Sequence, residues 1–139
     1  MILRKIPPSL LFICLCSFYP GTSIFYKNFS SNWDTYDFGN ITTGDKVSCT
    51  LCITNTSNAP IIINNIIPSC KCLTLNKQSG YINPGGKLKI KIHFDSTGKA
   101  LGEEHQNVIV CFSDESYYSF ELKVFINAKT GSCAKPCVE

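Results

Sequence analysis

The sequence predicts an all-β fold, an immunoglobulin-like β-sandwich of about seven antiparallel strands. Three observations carry that expectation. Residues 87–94 alternate strictly, with Leu88, Ile90, Ile92 and Phe94 on one face and Lys87, Lys89, Lys91 and His93 on the other, the period of a sheet with one buried side. Turn clusters recur between apolar segments: Asn55-Thr56-Ser57-Asn58-Ala59-Pro60, Asn83-Pro84-Gly85-Gly86 and Asp95-Ser96-Thr97-Gly98. No segment sustains the 3.6-residue period of a helix.

The elements follow in order. Phe38 opens the first strand as a core residue; its tripeptide Asp37-Phe38-Gly39 coincides with a protein-kinase metal-binding motif, but the chain has neither the catalytic loop nor the glycine-rich loop of that fold. Val47, Cys49, Leu51 and Ile53 alternate with Ser48, Thr50, Cys52 and Thr54, so Cys49 faces the core and Cys52 faces out. Ile61–Ile67 is a β-branched run that predicts a buried strand bent at Asn64-Asn65. Val108, Val110 and Phe112 form another inward face, and Tyr118, Phe120, Leu122, Val124 and Ile126 the longest. Leu51, Ile90, Ile92, Val110, Phe120, Leu122 and Val124 are the predicted core.

The start of the chain has the order of a secretory signal. Arg4 and Lys5 precede the apolar run Leu10–Tyr19, and Gly21-Thr22-Ser23 suits cleavage after Ser23. Two alternatives share this segment, lipidation of Cys14 or Cys16 and an uncleaved anchor. The expected organisation is a signal peptide at 1–23, a lead-in at 24–36, the sandwich at 37–128 and a cysteine-containing tail at 129–139. Beyond residue 23 eleven lysines face ten acidic residues, a net charge of +1. That balance lacks the basic concentration of a nucleic-acid-binding surface.

Several separated motifs, Phe38-Gly39-Asn40-Ile41, Gly44, Asn55 with Ala59-Pro60-Ile61, Ser69-Cys70-Lys71-Cys72, Pro84-Gly85, Ile90, Phe94-Asp95 and Gly102, stand in a familiar order. Over about residues 37–128 the chain resembles the bacterial envelope family known as the domain of unknown function numbered fifteen seventy-three, itself similar to Hydin-type immunoglobulin-like modules. The resemblance implies a sandwich and a periplasmic, secreted or cell-envelope location, and it implies no activity. Where the family reads Ser-Cys-Gly-Cys-Thr, this chain has Lys71 for the glycine and Leu73 for the threonine.

Beyond the leader the chain has seven cysteines, an odd number, so in an oxidising compartment at least one stays free, binds something or pairs with another molecule. Cys70 and Cys72 are the sharpest chemical candidates. On an extended strand their sulfurs would point the same way and could hold a soft ion such as Cu or Zn, with Cys111, His93, His105 or the tail pair as further donors. The structural alternative has them packing or forming disulfides with other strands. Cys49-Thr50-Leu51-Cys52 has redox-motif spacing but lacks the helix N-terminus that lowers a thiol pKa. Cys133 and Cys137 suit a small disulfide loop or a dithiol donor.

The stripe Lys87, Lys89, Lys91 and His93 reads as a solvated face, one that would discourage pairing on an edge strand, with a weak anionic partner as the alternative. Three glycosylation sequons, at Asn28, Asn40 and Asn55, read as incidental. With only His93 and His105 and no serine–histidine–acid set, the chain is expected not to be an enzyme and to need no cofactor. The expected function is a non-catalytic binding module of the envelope or secreted fraction. Its expected partner is another envelope or secreted protein, met along a strand edge or through loops at one end. Membrane contact would come only through an N-terminal anchor or lipid. The alternative is a small Cu- or Zn-binding or thiol-carrying protein centred on Cys70 and Cys72.

Overall fold

The computed structural model describes residues 27–130 and holds nine strands, the longer ones built on period-two alternation. They are β1 (Phe29–Ser31), β2 (Thr35–Thr42), β3 (Lys46–Asn55), β4 (Ile61–Pro68), β5 (Leu73–Leu75), β6 (Gly80–Ile82), β7 (Lys87–Asp95), β8 (Gly102–Phe112) and β9 (Tyr117–Asn127). No helix occurs among the described residues. The candidate leader with Cys14 and Cys16, and the tail pair Cys133 and Cys137, lie outside them.

The strands form two sheets, a four-stranded β1-β3-β7-β5 and a five-stranded β2-β9-β8-β4-β6. Their inner faces pack as a sandwich. The count exceeds the seven expected because β1, β5 and β6 have three residues each, too few for alternation to show. Residues 29–36, placed by sequence in the lead-in, hold three-residue β1 and the start of β2, whose alternation is broken at Phe38-Gly39. One pairing departs from the antiparallel expectation: β2 runs parallel to β9, with Tyr36 beside Leu122 and Ile41 beside Ile126. β2 and β3 lie in different sheets, so no hairpin dictates the direction of β2.

All seven predicted core residues are buried, and Leu51, Ile90, Ile92, Val110 and Phe120 are fully so. Leu51 stands opposite Ile90 and Cys49 opposite Ile92 across β3 and β7, so alternation in one strand meets alternation in the other in phase. Phe38 is partly buried and stacks on Phe94 at 6.2 Å. The register of β4 against β8 shifts between Ile63 and Asn65, the bend expected at the asparagine pair and a bulge in physical terms.

The tight turn at 83–86 is closed by a hydrogen bond from the Gly86 N–H to the Asn83 carbonyl at 2.8 Å, with Gly85 at φ 74°. Pro84 presets the first corner and Gly85 supplies the left-handed second one. β7 pairs with β3 along its whole length but with β5 only at Ile92–Phe94, so His93 lies on an interior stretch, while Lys87 and Lys89 stand where one edge is unpaired and discourage further pairing there.

Candidate functional site

The Cys70-Lys71-Cys72 segment is a turn and not a strand. It carries the chain from β4 in the five-stranded sheet to β5 in the four-stranded one. Its backbone is tied on three sides. The Ser69 N–H donates to the Asn107 carbonyl at 2.8 Å, the Leu73 N–H to the Cys70 carbonyl at 3.1 Å, and the Asp95 N–H to the Cys72 carbonyl at 2.9 Å. The Ser69 hydroxyl accepts the Asn107 N–H at 2.8 Å and donates to Gln106 Oε1 at 2.9 Å.

Within this turn Cys70 and Cys72 are joined to each other by a disulfide, with Cα atoms 5.1 Å apart. The same-side geometry expected of a strand is replaced by a turn that brings the sulfurs into bonding range, so the pair bonds within itself and not to other strands. While the bond is intact neither sulfur is a thiolate able to hold Cu or Zn. Both cysteines are half-buried and Lys71 is exposed. A cross-link closing a three-residue loop restricts the unfolded chain little, on the order of 1.6 kcal/mol against about 3 for a fifteen-residue loop.

The other described cysteines, Cys49, Cys52 and Cys111, are free thiols. Cys49 lies in the core as predicted, where burial pushes its thiol up to about 12, which makes it inert at neutral pH. Cys52 sits on the outer side of β3, as its alternation requires. Among the described residues, no three or more His, Cys, Asp or Glu side chains converge as a metal site. His93, on the outer side of β7, and His105, on β8, are therefore not brought to the cysteine pair.

His105 has a different setting. Its Nδ1 lies 2.9 Å from Glu121 Oε1 and its Nε2 3.1 Å from Glu103 Oε1. The Glu121 hydrogen bond, with the charges of both carboxylates, raises the imidazole above its ordinary value and holds Glu121 below the usual carboxylate range.

The two outer faces of the sandwich differ. The four-stranded sheet presents Lys46, Ser48, Thr50 and Thr54 beside Lys87, Lys89, Lys91 and His93, all exposed or half-exposed. The five-stranded sheet is charged at one end, around His105, and apolar at the other. There Tyr81 pairs with Ile62 across β6 and β4, Ile67 with Ile109 across β4 and β8, and Cys111 with Tyr117 across β8 and β9. Tyr117 is 72% exposed, Tyr81 57%, and Ile62 and Ile67 above 40%. A shallow groove of about 330 Å³ runs past Ile109, Cys111 and Tyr117. The β-branched run predicts a buried strand, and here the structure corrects it: Ile63 and Ile66 are buried, but β4 has one face on solvent, so Ile62 and Ile67 are exposed, and pairing across strands sets them beside Tyr81 and Ile109.

A family model described as "Protein of unknown function (DUF1573)" matches residues 29–131. No curated protein matches the chain. Among solved structures, a protein of unknown function from Porphyromonas gingivalis W83 aligns with a TM-score of 0.59 at 15% identity, covering 70% of this chain and 46% of that one. The chain thus spans about half the length of that relative. The ASH/PapD-like domain of human CEP192 aligns with a TM-score of 0.57 at 14% identity, covering 73% and 86%. The Vibrio cholerae VesB protease aligns with a TM-score of 0.56 at 12% identity, covering 71% of this chain and 32% of the protease. At these identities the likeness concerns the fold alone.

Proposed function

The chain belongs to the protein family of unknown function DUF1573, and we propose that it acts there as a non-catalytic binding module, secreted or held in the cell envelope, whose partner is another protein of that compartment. The observation that carries this reading is the apolar half of the five-stranded sheet's outer face. An apolar patch of exposed Ile62, Ile67, Tyr81 and Tyr117 with half-buried Ile109, crossed by the exposed Asn65 opposite Cys111, is costly to leave in water, and exposed aromatics rimmed by polar residues are the usual anchors of protein contacts. Strand edges offer less. β2 is interrupted by a bulge between Asp37 and Asn40, and the stretch of β7 that three-residue β5 leaves unpaired carries Lys87 and Lys89, both features that blunt an edge against pairing.

The metal-centred alternative has no comparable support, since the disulfide occupies both of its best ligands. A photo-crosslinking side chain at Tyr117, compared in the producing cells with one at Lys89 on the polar face, tests the binding reading. The expected result is a discrete adduct with one protein from Tyr117, none from Lys89, and loss of the adduct when Ile62 and Ile67 are both replaced by Lys. Equal labelling from both faces, or none from Tyr117, overturns it.

A further inference from the structure

Binding through the five-stranded sheet leaves the Cys70–Cys72 disulfide without a task. It is also a poor staple. The turn around it is already held by the Ser69, Leu73 and Asp95 backbone bonds, and it links residues that the chain itself keeps close.

The site is suited to receive electrons. Both cysteines are half-buried residues of a surface turn, Cys72 with one side against the core. The Cys72 N–H donates to Cys70 Sγ at 3.0 Å, a bond that strengthens when negative charge develops on that sulfur. The exposed ammonium of Lys71 lies between the two cysteines in sequence, and a neighbouring cation favours the thiolate. Cys70 is therefore the better leaving group of the pair.

We propose that Cys70–Cys72 is a thiol–disulfide exchange site that takes two electrons from a dithiol on a partner protein. A partner thiolate attacks Cys72 Sγ, forming a mixed disulfide and breaking the Cys70–Cys72 bond, and the bonding electron pair departs on Cys70 Sγ. The partner's second thiolate then attacks the partner sulfur of the mixed disulfide. That step forms the partner's own disulfide and releases Cys72 as a thiolate. The two protons given up by the partner thiols end on Cys70 and Cys72, so one disulfide is reduced and one formed.

The test uses the purified chain with Cys52 and Cys111 replaced by Ser, so that buried Cys49 is the remaining described thiol outside the pair. Reduced and oxidised glutathione, stepped from one extreme to the other, serve as the probe. Alkylation of the Cys70–Cys72 peptide is followed by mass spectrometry and folding by circular dichroism. The expected result is half-reduction of the pair within the glutathione range with an unchanged folded spectrum. In that background Cys70→Ser should hold a stable glutathione adduct on Cys72, and Lys71→Glu should slow the exchange by at least about threefold. A pair that stays oxidised in fully reduced glutathione, or a fold that collapses as the pair is reduced, overturns the proposal, because either marks a structural disulfide.

Discussion

Asn55 shows how one side chain can carry two kinds of information. In the sequence it opens a turn cluster and a glycosylation sequon. In the structure it is 1% exposed and fully used: its amide donates to the Ala59 and Ile82 carbonyls at 2.8 and 2.9 Å, and its Oδ1 accepts the Ser57 N–H and hydroxyl at 2.9 and 2.7 Å. A buried polar group is stable only when it is satisfied in this way. Asn55→Ala removes the partners of a buried carbonyl and of the turn, so urea unfolding should show a loss of about 2 kcal/mol, within the usual range for a stranded buried group. The same burial withholds the Asn55 amide from glycosylation in the folded chain. The cysteine pair makes a parallel point, since spacing alone could not distinguish a strand, which presents two sulfurs side by side, from a turn, which bonds them.

At the scale of elements, β8 and β9 bring His105 between Glu103 and Glu121 through a register that sets His105 opposite Lys123 and Asn107 opposite Glu121. The raised imidazole contributes stability that is complete below its unfolded pKa and lost as pH rises through its folded one. The lowered Glu121 contributes stability present above its unfolded pKa and lost as pH falls through its folded one. Both hold together between about pH 4.5 and 6.5, the ordinary carboxylate and imidazole values. Glu121→Gln should therefore lower stability most in that window and less above it, as denaturation at a series of pH values will show. Proton NMR titration of His105 should find its pKa above the ordinary value in the parent and lower in the variant. An unchanged His105 titration would remove the pairing from the account.

The whole molecule rests on the in-phase burial of two sheets. Leu122 lies on β9, between β2 and β8, with 2% of its surface exposed. Leu122→Ala should cost about 2–5 kcal/mol through lost contacts and the cavity left behind, measured as a shift of the denaturation midpoint. A change below about 0.5 kcal/mol, typical of surface positions, would place Leu122 on the wrong side of the sheet.

Strand identity, strand face and core membership were legible in the sequence because they depend on a period of two that survives in residues 47–54, 87–94 and 118–126 without knowledge of any neighbour. The tight turn at Pro84-Gly85 and the bend at Asn64-Asn65 were legible too, since each is a local backbone demand written in residue type. The tertiary structure alone decided which strands share a sheet, that β2 runs parallel to β9, and that the short β1, β5 and β6 are strands at all. Pairing is a contact between segments distant along the chain, and three residues carry no period. It also decided the candidate sites. The disulfide required a turn whose backbone is anchored by Asn107 and Asp95, and the apolar patch required β6, β4, β8 and β9 to lie side by side, neither of which any local stretch of residues encodes.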